Sequence, residues 1–91
     1  MSEAFHNAVK DFALEYGDLS AYHERVAKHT FRWLKDGTPI SEVFTNIELI
    51  LLSLDAESNF PDMLEVGYLS DQRQAWLDFK EELVHQVYLD I

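Results

Sequence analysis

Apolar residues recur at helical spacing along most of this chain. Phe5, Val9, Phe12 and Tyr16 follow i, i+4, i+7 and i+11, one face of a helix from about Glu3 to Tyr16. Ser2 stands where an N-cap belongs and Gly17 where a helix ends. A second helix is predicted from about Leu19 to Asp36, with Asp18 as N-cap and Tyr22, Val26, His29 and Trp33 along its core side. Gly37 sits at the position that favours a left-handed residue past a helix end. Thr38-Pro39 then reads as a fresh start, because proline in the first turn gives up an N–H that has no helical acceptor.

The third helix runs to about Ala56, with Ile40, Val43, Phe44, Ile47, Ile50, Leu51 and Leu54 on its core face. Leu49 and Leu52 point away from that face. The helix is therefore expected either to sit centrally, the preferred reading, or to offer Leu49 and Leu52 to a second copy as a dimer face. Regularity fails from Glu57 to Leu69, where Asn59, Pro61 and Gly67 interrupt the pattern and only Asp62 to Val66 suggests a short helical turn. A last helix follows from about Asp71 to Leu89, with Ser70 as N-cap. Trp76, Phe79, Leu83 and Val87 form its stripe, widened by Leu77, Val84, Tyr88 and Ile91, while Asp78, Glu81, Glu82 and His85 occupy the opposite side. No run alternates with period two over a useful length. The expectation is an all-α fold in one domain, residues 1–91, built as an antiparallel four-helix bundle or a closely related compact helical array.

Composition narrows the function more than the fold. With 47% hydrophobic residues the chain can build a core, though at 91 residues it buries only roughly 60–65% of its unfolded surface. There is no cysteine, so disulfides and thiolate metal sites are excluded, which suits a reducing cytoplasm. Met1 to Lys10 lacks a signal-peptide core, and the apolar cluster from Ile47 to Leu54 is broken by Glu48 and Ser53. A cytoplasmic location without a membrane partner is expected.

Charge is divided unevenly. Residues 1–36 carry six acids and five bases, a net of −1, whereas residues 37–91 carry eleven acids and two bases, a net of −9. Such an acidic half fits either electrostatic steering of a basic partner or plain solubility. It opposes a nucleic acid, whose phosphates need Lys and Arg to neutralise them. Arg25, Lys28, Arg32 and Lys35 do form a basic stripe on the second helix, and the expectation is that neighbouring acids such as Glu24 absorb it.

The chemistry-bearing motifs are thin. Glu82-Leu83-Val84-His85 has the Glu-x-x-His spacing of di-metal bundles, but such a centre needs two copies facing the interior, and this one projects away from the apolar stripe. His29, near Tyr22 and Trp33, is expected to be a partly buried structural histidine. Nucleophile elbows and glycine-rich phosphate loops are absent. The chain is therefore expected to be non-enzymatic, with no catalytic, metal or cofactor site. The recognition surface is expected around the irregular segment. There Asp55, Glu57, Asp62, Glu65 and Asp71 surround Phe60 and Tyr68 as carboxylates around aromatic anchors.

The stretch from Ser41 to Val87, with its SEVF helix start, its acidic LDAESNFPD segment and YLSDQRQAWLDF leading into the last helix, resembles small helical bacterial toxin-immunity proteins. These are of the colicin D immunity type and related contact-dependent inhibition immunity proteins. The resemblance implies inhibition by occlusion: carboxylates stand in for nucleic-acid phosphates and cover the cationic cleft of a nuclease toxin.

Overall fold

The structure, a computed structural model, describes residues 3–57 and 66–89. They form an all-α bundle of four helices: α1 (Glu3–Tyr16), α2 (Ala21–Lys35), α3 (Ile40–Glu57) and α4 (Val66–Leu89). At 1.5 Å per residue the 24-residue α4 is about 36 Å long, which accounts for most of the 43 Å long axis of the molecule.

The helix ends follow local chemistry. At the end of α2, Gly37 takes a positive φ of 75°. Its N–H donates to the Leu34 carbonyl at 3.1 Å, and the Thr38 N–H donates to the Trp33 carbonyl at 3.0 Å. This is the paired closure of a Schellman motif, which the expected left-handed Gly37 permits. Gly17 ends α1 for a different reason: a Cβ there would collide with the Ala13 carbonyl oxygen, to which the Gly17 N–H donates. The Pro39 carbonyl accepts from the Val43 N–H, so α3 opens at the expected Thr38-Pro39 step.

Two starts differ from expectation. Helix α2 is capped by Ser20, not Asp18: Ser20 is extended, and its hydroxyl accepts from the His23 N–H. Helix α4 begins at Val66, so Ser70 lies within it rather than capping it, and Gly67 is carried inside the helix. As the second residue of α4 it stands in the first turn, outside the helix interior where a glycine is about 1 kcal/mol less favourable than alanine.

The core draws on all four helices. Phe5, Phe12, Phe79, Ile47 and Leu83 are its largest fully enclosed side chains, joined by Val26 and Val43. Phe12 stacks on Tyr16 with ring centroids 5.0 Å apart and meets the Phe79 ring edge-on at 5.3 Å. Helix α4 packs against each of the other three, whereas α3 packs chiefly on α4. The central helix is therefore α4, and the central position expected for α3 is overturned. The second apolar side of α3 stays in solvent, with Leu49 58% and Leu52 63% exposed.

The α2 core face is also rotated from its expected setting. His29 is exposed, with its ring edge-on to Trp33 and Trp76, and Tyr22 and Trp33 are only half-buried. The residues turned inward are His23, Val26 and Thr30. The Thr30 hydroxyl donates to the Val26 carbonyl at 2.9 Å, which satisfies a polar group that would otherwise be costly to bury.

Candidate functional site

The interior polar contacts centre on His23. Its Nε2 lies 2.8 Å from Asp78 Oδ2 on α4, and its Nδ1 lies 2.7 Å from Ser20 Oγ. The Ser20 oxygen already accepts the His23 backbone N–H at 3.1 Å. One hydrogen assignment satisfies every atom: the serine O–H donates to Nδ1, and Nε2–H donates to the carboxylate. Gln74 donates to the other Asp78 oxygen at 2.9 Å. The imidazole also stacks on Tyr16, with centroids 5.5 Å apart and planes 13° apart. These are the atom types of a nucleophile–base–acid relay. Here the hydroxyl serves as a helix cap, and the relay fastens the start of α2 to the middle of α4. The expected placement of Asp78 on an outer face is thus corrected, because Asp78 faces α2.

Two grooves flank this framework. The first is formed by Tyr16 and the second half of α4, with a volume of about 440 Å³. Three carboxylates border it, from Asp78, Glu81 and Glu82, alongside His85, and neither lysine nor arginine does. Val84, Tyr88 and Leu89 lie beside these acids as exposed apolar surface, Tyr88 being 77% exposed. The phenol of Tyr16 reports the local field. Partial burial, and then the carboxylates of Asp78, Glu15, Glu81 and Glu82, push its pKa above the ordinary value of 10.0.

The second groove lies between α1 and α2 and measures about 910 Å³. Val9, Ala13, Leu14, Phe31 and Leu34 supply its apolar surface. Lys10, Lys28, Arg32 and Lys35 border it, four bases against the single acid Asp36. Three members of the stripe noted in the sequence therefore rim a groove. They are largely not absorbed by neighbouring helices: Lys28 pairs with Glu24 within α2 at 3.0 Å, and Arg25 lies over the Tyr22 ring. Among the described residues, Lys10, Arg32 and Lys35 have no acid within ion-pair distance.

The recognition segment expected from the sequence is only partly in view. Phe60, Asp62 and Glu65 lie outside the described residues, as do the side chains of Glu57 and Tyr68. Asp55 is exposed near the end of α3 and accepts from Arg73 Nε on α4 at 2.8 Å, while Asp71 is exposed on α4. Leu49 and Leu52 share the outer side of α3. Sequence reasoning missed the acidic groove of α4 and the groove at Phe31. The signal for the second was present: Leu14 and Phe31 are large apolar residues off their helices' expected core faces.

The Glu82 and His85 pair does not converge with other ligands, and no group of three or more metal-binding side chains occurs among the described residues. No helix among those residues is long and apolar enough to cross a membrane. Comparison with protein-family models, curated proteins and solved structures finds no match to this chain.

Proposed function

We propose that this protein is a non-enzymatic binding protein whose acidic surface engages and occludes a basic protein partner. The observation that carries this reading is the groove at Tyr16, where Asp78, Glu81 and Glu82 stand beside the exposed Val84, Tyr88 and Leu89. Clustered carboxylates raise the encounter rate with a cationic surface, and a neighbouring aromatic anchor supplies contact area that charge alone does not. The net charge of −10 adds a long-range attraction for such a partner. The resemblance to toxin-immunity proteins names one class of partner, a basic nuclease domain, whose cleft would receive carboxylates in place of phosphates. The exposed Asp55 and Asp71, near the α3–α4 junction, would add further negative charge, and Asp62 and Glu65 lie outside the described residues.

The test begins with the protein that co-purifies from the native cell. Titration calorimetry of the purified pair at about 50 and 200 mM salt should show one-to-one binding that weakens steeply with salt, since screening shortens the Debye length. Glu81→Lys with Glu82→Lys should weaken binding more than Asp62→Lys with Glu65→Lys if the α4 groove is the principal contact. The reverse order would move the site to the α3–α4 junction. Affinity unchanged in both variants would end the reading.

A second reading, a homodimeric adaptor, is favoured by one observation: Leu49 and Leu52 are adjacent in space and more than half exposed. Sedimentation at micromolar concentration tests it. A dimer dissociated by Leu49→Ser with Leu52→Ser would support it, and a monomer of 10.6 kDa would dismiss it.

A further inference from the structure

The groove between α1 and α2 plays no part in the acidic reading, and its chemistry is opposite. We propose that it is a second docking site, one that receives an acidic amphipathic helix of a partner protein. Three features of the groove carry this.

The first is unpartnered apolar surface. Leu14 is 76% exposed and Phe31 59% exposed, on neighbouring helices facing one trough. Large apolar side chains held together in solvent at a concave site mark a binding surface more often than isolated ones do.

The second is charge. This chain has only seven Lys and Arg residues, and four of them border this one groove. Lys28 remains largely hydrated in its pair with Glu24, both side chains being more than half exposed, so that pair neutralises the rim only weakly. Lys10 stands on the α1 side, while Lys28, Arg32 and Lys35 stand on the α2 side. An occupant therefore meets positive charge on both flanks and apolar surface between them. An amphipathic helix with a narrow apolar stripe and carboxylates on either side presents the complementary pattern.

The third is shape. From Lys28 to Lys35 α2 rises about 10 Å, so the trough matches the apolar stripe of a helix over about two turns. Its walls are open, whereas small-ligand sites enclose most of the surface of what they bind. An anionic membrane fits the charge but not the relief. The apolar groups line a trough rather than a crest, and the acids of α4 would be repelled by the same lipid surface. Two copies meeting groove to groove would oppose like charges.

Selection from a display library of twenty-residue helical peptides tests the proposal. The library keeps a leucine stripe at i, i+4, i+7 and i+11 and randomises the flanking positions between Glu, Gln and Lys. The expected result is enrichment of glutamate on both flanks. Peptides from that pool should lose about tenfold or more in affinity, a hot-spot-sized effect, against Phe31→Asp and against Lys28→Glu with Arg32→Glu. They should bind the Glu81→Lys, Glu82→Lys variant as well as the native chain. Phe31 and the two bases are exposed, so the variants should keep the fold, and circular dichroism of each checks this.

Absence of enrichment, or enrichment of neutral or basic flanks, would overturn the proposal. So would affinity that is indifferent to both groove variants. Tighter saturable perturbation of the Leu14 and Phe31 amide signals by laurate or by vesicles of anionic lipid would reassign the groove to a lipid. Self-association abolished by Phe31→Asp would reassign it to a second copy. Loss of the basic partner in the α4 variant alone leaves this proposal standing, so the two readings fail separately.

Discussion

The two grooves differ in charge, in size and in how much apolar surface lines them. One, between α1 and α2, combines Phe31 and Leu14 with four bases; the other, at Tyr16 and α4, combines Tyr88 and Leu89 with three carboxylates. Both are built on the same core, since Phe12 lies between Tyr16, His23 and Phe79. The lesson is that net charge describes this molecule poorly. At −10 it reads as uniformly acidic, yet four of its seven Lys and Arg residues border one groove, and the two surfaces suit opposite partners.

The largest expected effect comes from removing what the grooves share. Phe12→Ala should lower stability by about 3–5 kcal/mol, because the ring is fully enclosed and its neighbours can close the cavity only in part. Urea denaturation measures this, and a loss below about 1 kcal/mol would mean that the two grooves do not rest on a common core.

Next comes the tie between α2 and α4. Asp78→Ala leaves the buried His23 without its acceptor and should destabilise by about 1–3 kcal/mol. The His23→Ala, Asp78→Ala double variant should be less destabilised than the sum of the single changes, since both remove the same contact. Full additivity would show that the two side chains do not couple.

A pH effect separates the grooves without changing stability near neutrality. The Tyr16 phenol has a raised pKa, so the folded state keeps this proton above pH 10 while the unfolded chain releases it. Its contribution is complete below the unfolded pKa and is lost as pH climbs through the higher folded value. Ultraviolet titration should show a late-titrating component that disappears in Tyr16→Phe. Glu81→Lys with Glu82→Lys should lower that pKa, and Lys28→Glu with Arg32→Glu should leave it almost unmoved. Equal shifts in both variants would mean that the two fields are not local.

The smallest effect is expected at the surface. The Arg73–Asp55 pair is about half exposed on each side, and a double-mutant cycle should give a coupling of about 0–1 kcal/mol, reduced by salt. A larger value would make this contact a structural clasp between α3 and α4, and Asp55 would be less available to a partner.

Much of the scaffold was legible because helix formation is largely local. The spacing of Phe5, Val9 and Phe12 on α1, and of Val43, Ile47, Leu51 and Leu54 on α3, identified residues that are indeed buried. Gly37 marked a helix end because a left-handed residue is needed there whatever surrounds it. The reading failed where a polar side chain went inside. His23 and Thr30 score as surface residues by type, yet Asp78, Ser20 and the Val26 carbonyl satisfy them, so α2 turns its His23–Val26–Thr30 side to the core and leaves His29 in water. That rotation requires a carboxylate 55 residues away in sequence, which no periodicity reveals. The candidate site was less legible than the scaffold. The sequence placed Asp78, Glu81, Glu82 and His85 on one side of the last helix, but their meeting with Tyr16 depends on how α1 and α4 pack.

By itself, then, the sequence determined the helical class, three of the four helix ends closest to glycine and proline, and most of the apolar core. Those features rest on hydrogen bonds within one turn and on apolar periodicity along one helix. Only the tertiary structure decided that α4 rather than α3 is central, that His23 is the buried histidine, and that scattered bases become the rim of one groove. Each of these depends on which helix faces which, and packing chooses that by satisfying buried polar atoms as well as by burying apolar ones.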